Sequence, residues 1–366
     1  MPAGAEGPTT RRVVQWATGN VGRAAIEGIV AHPELELVGC WVHSEDKDGV
    51  DAGELAGIGP VGVAATTDRE AILALDADCV VYAPMLADPA DVTALLASGK
   101  SVVTPVGWVY PFAAHDVAAI EATCRQAGVV LHGTGIHPGG ITERFPIVLS
   151  ALCTDIAHVR AEEFSDIRTY ATEFVVREVM MFGKEPHAAT QSPMPRLLAD
   201  GFGQSIDMIA TAMGVTLDAD KPVTHEWAVA TEPIDTPVGV LEVGTVAAQR
   251  FTWSGTVDGV AVITAAVNWF MGEEHLDPPW TFGEGGERFE VTFDADPPLH
   301  VVFHGLHPES IEAGIERNAG IVATAMHCVN AIPYVCAAEP GIRTYLDLPP
   351  VAGRITPAAA DPATRG

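Results

Sequence analysis

The chain has 366 residues, 48% of them hydrophobic and 19% charged, which is enough for two domains with proper cores. Its formal net charge of −28 opposes nucleic acid and anionic membrane surfaces, and no run reaches the roughly 18–20 apolar residues of a membrane span. Residues 1–10 carry neither a basic nor an apolar leader segment, and the six cysteines form no CxxC pair, so buried thiols in a cytoplasmic, reducing compartment are expected and a metal site is not.

Residues 13–16 read as an apolar strand entering the turn Ala17-Thr18-Gly19-Asn20-Val21-Gly22, and Ala24, Ala25, Ile26 and Ile29 follow at helical spacing. The turn is the dinucleotide fingerprint G-x-G-x-x-G with alanine in its first slot. Gly19 lets backbone approach a pyrophosphate, and Gly22 lets the helix pack close to the strand. The N–H groups of Asn20, Val21 and Gly22 and the charge of Arg23 favour phosphate at that helix end. An ordinary βα turn is the plainer alternative.

The next strand, 35–42, ends in His43-Ser44. His43, Ser44 and Lys47 offer a seat for the 2′-phosphate of NADP, whereas Glu45 offers a partner for the ribose of NAD. NADP is the expectation, with NAD as the alternative. A glycine-rich loop covers 51–62, and a helix is expected at 68–75. A buried strand at 78–83 empties through Ala83 into Pro84, and a helix covers 90–97. The strand at 101–103 runs into Thr104, and a helix at 113–126 precedes a strand at 129–132. This alternation predicts a doubly wound parallel sheet for about the first 145 residues. The last strand empties into Gly133-Thr134-Gly135-Ile136-His137-Pro138-Gly139-Gly140, at the sheet edge where ligands bind. Ala83, Pro84, Thr104 and Gly135 are therefore further cofactor candidates.

Composition then changes. Residues 156–170 alternate as a strand carrying Glu162, Glu163, Asp166 and Arg168; 172–181 suit a helix, 183–195 a polar loop and 196–213 a helix. From 223 to 302 strands are expected at 226–231, 242–253, 260–271, 288–293 and 299–303, with Asp258-Gly259 as a hairpin turn. This half reads as an α+β domain with a mostly antiparallel sheet. The stretch 310–338 reads as a helix broken by Pro333. The expected divisions are 1–145, 146–308, a helical segment 309–355 returning to the first domain, and a disordered tail, 356–366.

Four segments, QWATGNVGR at 15–23, GTGIHPGG at 133–140, DIRTY at 166–170 and VNAIPYVCAAEPGIRTYLDLP at 329–349, together resemble the dihydrodipicolinate reductase-like dehydrogenases, a group that includes 2,4-diaminopentanoate dehydrogenase and the native amine dehydrogenases. The resemblance implies a Rossmann domain, an α+β substrate domain and a homodimer. The implied reaction is reductive amination of a ketone or aldehyde with ammonia, and its reverse. The paired histidines and Lys-x-Asp-Ala-Pro-Ser-Gly-Thr loop of true dihydrodipicolinate reductases are missing, as is the Glu-Lys-Pro turn of sugar dehydrogenases. The chain also departs from its closer relatives. They place a glutamate just after the fifth strand, but Thr104-Pro105-Val106-Gly107-Trp108-Val109-Tyr110-Pro111 holds no carboxylate, and His137 stands where they have asparagine.

Hydride transfer needs a positioned electrophilic carbon and a proton donor, and carbinolamine dehydration needs a general acid. His137 is the first candidate, by position and by the ordinary pKa of histidine; a histidine bonding loop carbonyls is the alternative. Tyr110 lies where the relatives' glutamate would be, and packing is its alternative. Glu163 and Asp166 suit an ammonium group, or else ion pairs with Arg160 and Arg168. Aromatic residues (Trp108, Tyr110, Phe164, Tyr170, Phe174, Phe182, Trp227, Trp269) without a Lys or Arg cluster point to a neutral, hydrophobic ketone, aldehyde or amine. A ketone or imine reductase working without ammonia, and a non-catalytic NADP-binding protein, are the other readings.

Overall fold

Strand β1 (Arg11–Trp16) forms where Val13, Val14, Gln15 and Trp16 are all buried, the continuous pattern of an inner parallel strand. The computed structural model describes residues 10–192, 194–283 and 286–355. The expected tail at 356–366, and all but the last residue of the leader region, lie outside them. The described chain divides into two compact units, one of residues 10–106, 117–133 and 324–355, the other of 107–116 and 134–323. The division thus runs between Gly133 and Thr134 rather than at 145/146. Its cause is Ile141, just past the glycine loop, which packs with Val159, Ala161 and Phe289.

In the first unit, β1 leads into α1 (Asn20–Ala31), β2 (Leu35–Trp41), α2 (Ala52–Ala56), β3 (Ala65–Thr66), α3 (Arg69–Ala74), β4 (Cys79–Tyr82), α4 (Pro89–Ala97), β5 (Ser101–Thr104), α5 (Ala118–Ala127) and β6 (Val130–Gly133). With β14 (Gly341–Ile342) these strands make one parallel sheet ordered β14-β6-β5-β4-β1-β2-β3. This is the Rossmann-type doubly wound sheet. Short α2 interrupts the expected loop at 51–62 because the Asp51 carboxylate accepts from the N–H groups of Gly53, Val61 and Gly62. Helix α5 starts five residues later than expected.

The second unit holds α6 (Phe145–Ser150), β7 (Thr154–Asp166), α7 (Pro186–Ala189), α8 (Met194–Met213), β8 (Val223–Ala230), β9 (Val246–Val257), β10 (Val260–Phe270), β11 (Leu276–Asp277), β12 (Arg288–Asp296), β13 (Leu299–Phe303) and α9 (Ile311–Glu316). Its sheet runs β11-β8-β9-β10-β7-β12-β13, antiparallel except for the β10–β7 pair. Asp258 and Gly259 both have positive φ, 50° and 77°, the type I′ geometry that joins β9 to β10. Phe202, Ile206 and Ile209 of α8 pack on Phe251, Trp253 and Ile263 of β9 and β10. The expected helix at 172–181 is a π-helical turn, Val175–Val179, and α7 occupies part of the expected polar loop.

Helix α10 (Ala319–Val335) contains Pro333 and does not break there. The break comes earlier, at Arg317, where the Asn318 side-chain oxygen Oδ1 accepts from the Ile321 N–H and starts a new helix. Ala325, Cys328, Val329, Ile332 and Val335 enter the same core as Val13, Ile26 and Ile29. No helix among the described residues is long and apolar enough to cross a membrane.

Candidate functional site

Within the first unit, Thr18, Gly19, Asn20, Val21, Gly22 and Arg23 lie at the carboxyl end of β1. Ala17 takes φ 72°, and the Gln15 side-chain amide donates to the carbonyls of Trp16 and Ala17 at 3.1 and 2.9 Å, which fixes the turn. A Cβ on Gly22 would stand 2.1 Å from the Ala17 oxygen, so glycine is required for close packing. Gly19 is the opposite case: a Cβ there would meet nothing within 4 Å. Gly19 caps α1 without a side-chain hydrogen bond, leaving the first-turn N–H groups directed at that open space. These features fit a dinucleotide pyrophosphate.

Lys47 donates to the Thr18 hydroxyl at 3.3 Å, which brings the end of β2 to the turn. His43 is exposed and Ser44 half-buried beside it, so an imidazole and a hydroxyl are available to a 2′-phosphate. The Ala83 N–H donates to the Trp16 carbonyl at 3.1 Å, placing Ala83 and Pro84 at the same edge. Thr104 follows on the neighbouring strand, its hydroxyl oxygen accepting from the Val106 N–H at 3.0 Å. Gly135 belongs to the second unit, where its carbonyl accepts from the Gly140 N–H at 2.9 Å.

In the second unit, the structure separates the proton-donor candidates. His137 is engaged at both ring nitrogens: Nε2 lies 3.2 Å from the Ala266 carbonyl and Nδ1 lies 2.8 Å from the Thr142 hydroxyl. Its ring packs edge-on against Phe202 and Phe289. Burial pushes its pKa down to about 3, so the ring is neutral. This corrects the expectation of an acid: His137 is a packed histidine that ties its loop to β10. We predict that His137→Asn, which keeps a donor and an acceptor, leaves kcat near wild type, while His137→Ala lowers the unfolding midpoint by leaving a cavity and unpaired groups, a loss on the order of 3 kcal/mol in denaturant melts.

Tyr110 donates its hydroxyl to Thr211 at 3.0 Å, and its ring meets Phe112 edge-on, so it is a packed aromatic of the α8 surface. For Asp166 the structure shows the ion-pair alternative. Asp166 caps the 3₁₀ turn Ile167–Thr169 and accepts from the Arg168 guanidinium with both oxygens. Period-two alternation on β7 sorts its two glutamates. Glu162 takes a bidentate bond from Arg160 and another from Asn268, and these partners hold its carboxyl low against the effect of burial.

Glu163 is the exception. Its side chain is 16% exposed and lies 3.9 Å from His137 Nε2. Burial pushes its carboxyl up to about 7; the His307 ring and a hydrogen bond from the Trp269 indole counter that rise, and Glu287 adds to it. Tyr170 stands beside it, its phenol pushed up by burial and by the charges of Glu163 and Glu287. His307 stacks on Phe289, with Nδ1 3.2 Å from Glu287 Oε2; its Nε2 is buried without a hydrogen-bond partner among the described residues. Sequence reading missed His307 and Glu287 because they come from separate loops with no shared spacing. It also missed Glu143, buried in the π-helical turn Gly140–Arg144.

Of the aromatic residues, Phe182 is fully buried core and Phe164 lies under the Arg288 guanidinium at 3.9 Å. Trp227, Trp269 and Tyr170 are only partly buried. Arg160, Arg168 and Arg288 are each bonded to a carboxylate.

Comparison with known proteins places this geometry among relatives. Residues 11–131 match the dihydrodipicolinate reductase N-terminal family, and residues 141–361 match the 2,4-diaminopentanoate dehydrogenase C-terminal domain family. The chain is 34% identical to an amine dehydrogenase of Streptomyces virginiae, over 93% of this chain and 98% of that one. It is 27% identical to 2,4-diaminopentanoate dehydrogenase of Acetoanaerobium sticklandii over 66% of this chain and 64% of that protein. The solved amine dehydrogenase of Mycobacterium smegmatis shares the fold, with a TM-score of 0.73 at 20% identity, covering 94% of this chain and 97% of that one.

Proposed function

We propose a reaction for a chain that belongs to the amine dehydrogenase and 2,4-diaminopentanoate dehydrogenase family, nicotinamide-dependent oxidoreductases acting on CH–NH2 groups. The reaction is reductive amination of a neutral, hydrophobic ketone or aldehyde with ammonia, and the reverse deamination, with NADP preferred to NAD. When bound, the nicotinamide supplies or accepts the hydride. Thr18, Gly19, Asn20, Val21, Gly22 and Arg23 hold the pyrophosphate, and His43, Ser44 and Lys47 hold the 2′-phosphate.

Glu163 moves the proton. Ammonia adds to the carbonyl carbon, and the carbinolamine loses water once its hydroxyl is protonated. Glu163 as the acid donates that proton, leaving an iminium carbon, and regains one from the next ammonium ion, which releases the ammonia that adds. The observation that carries this reading is geometric: the Glu163 carboxyl is largely buried beside His137, with Trp269, Tyr170 and His307 around it, while His137, Tyr110 and Asp166 are bonded elsewhere; that burial is what raises the Glu163 carboxyl to about 7. Glu163 thus takes the role of the carboxylate absent from residues 104–111. The arginines already bonded to carboxylates support a neutral substrate. A homodimer and a cytoplasmic setting complete the proposal; the six free cysteines fit the latter.

The test is NADPH oxidation with cyclohexanone across an ammonium titration. The proposal predicts a rate that rises with ammonium, with cyclohexylamine as product. A rate indifferent to ammonium with cyclohexanol as product overturns it, and a preference for keto acids overturns the neutral-substrate part.

A further inference from the structure

Glu143 is fully buried and stands apart from the chemistry assigned to Glu163. It follows the glycine loop, which is folded tightly on itself: the Gly140 N–H donates to the Gly135 carbonyl at 2.9 Å and the Ile141 N–H to the Ile136 carbonyl at 2.8 Å. Gly139 has φ 139°, and a Cβ there would overlap the Gly135 carbonyl group at 2.1–2.2 Å. Glu143 Oε2 accepts from the Gly139 N–H at 2.6 Å, and its Oε1 meets the Ser205 hydroxyl of α8. That hydroxyl has one proton and a second acceptor in reach, the Gly201 carbonyl at 3.1 Å.

Counting protons around this group decides its state. An ionised Glu143 would be a buried carboxylate, and among the described residues no cation pairs with it. A neutral carboxylic acid needs one donor for its carbonyl oxygen and one acceptor for its hydroxyl. The Gly139 N–H is that donor and Ser205 Oγ that acceptor, and Ser205 in turn donates to Gly201, a bond usual for a helical serine. Every group is then satisfied.

We propose that Glu143 is a neutral carboxylic acid at neutral pH and a positioning residue, its hydroxyl donating to Ser205 and its carbonyl holding Gly139, so that the 135–140 loop is fixed on α8. Burial raises its pKa to about 8, and the contacts with the Ser205 hydroxyl, the Gly139 N–H and its own amide oppose that rise. The charged or titratable groups on the elements packed around it are His137, reached through Thr142; Arg144 on its own turn; Arg196, Asp200 and Asp207 of α8, the two aspartates held by His115 and Gln204 and by Lys221; Asp155, His158, Arg160, Glu162, Glu163 and Asp166 of β7; and Arg288, Glu290, Asp294 and Asp296 of β12. Helix α6 contributes none.

The role in turnover rests on the proposed amine chemistry, but the spectroscopic test does not. At pH 7 the infrared difference between wild type and Glu143→Gln contains the C=O stretch of an un-ionised acid, which converts to carboxylate bands as pH passes about 8. Glutamine reproduces both bonds, so Glu143→Ala lowers the melting temperature and kcat, and Glu143→Gln restores both. The folded-state pKa lies above the ordinary 4.5, so the stability of wild type relative to Glu143→Gln falls as pH rises from 4.5 to about 8 and is level above. Carboxylate bands already present at pH 7, or a Glu143→Gln protein no better than Glu143→Ala, overturn the proposal.

Discussion

Glu163→Gln lowers kcat for ammonium-dependent reduction by on the order of 10²–10⁴-fold, the usual worth of a general acid–base group. Glutamine keeps the size of the side chain and can still accept from the Trp269 indole, but it has no proton to give to a leaving hydroxyl. The candidate dinucleotide residues of the first unit are untouched, so NADPH fluorescence titration gives the wild-type Kd. A kcat close to wild type would remove Glu163 from the mechanism. A loss confined to KM would make it a binding group that acts equally on ground and transition states.

The second large effect belongs to the opening turn. Gly22→Ala places a methyl group 2.1 Å from the Ala17 carbonyl oxygen and 3.0 Å from the Gln15 amide nitrogen. Backbone must move, because the obstacle is the turn itself and not the end of a flexible side chain. Overpacking strain of about 1–3 kcal/mol, set against the bound turn, weakens NADPH binding roughly 5- to 150-fold and lowers the melting temperature. Gly19→Ala separates the two effects. Its backbone, φ −69°, suits alanine and its Cβ meets no protein atom within 4 Å, so the fold stays. The methyl group enters the space assigned to the pyrophosphate, so affinity falls while the melting temperature holds. Equal loss of stability in both variants would contradict the assignment.

Those glycines were legible in the sequence because their constraint is local: strand, turn and helix lie within about twenty residues, and apolar spacing reports all three. The parallel sheet was legible for the same reason. The proton chemistry was not. Whether Asp166 or Glu163 is free depends on partners: Arg168 is close in sequence, but His307 and Glu287 come from over a hundred residues away. His137 looked suited to proton transfer because its ordinary pKa is near neutral; burial between Phe202 and Phe289 reversed that. Nothing in the string TERF announces that Glu143 is buried against a serine sixty-two positions on. Helix α10 shows the same limit at the level of secondary structure, since Asn318 starts a new helix where Pro333 was expected to end one.

In the proposed reaction Glu163 carries the proton whose transfer limits amination. The most direct measurement is the pH dependence of kcat for NADPH-driven reductive amination at saturating substrate and ammonia, in wild type and in Glu163→Gln. The donating form is the acid, so wild-type kcat falls as pH rises through about 7, and Glu163→Gln is slow and flat across that range. A limb near that pH that persists unchanged in Glu163→Gln would assign the proton to another group and contradict the account.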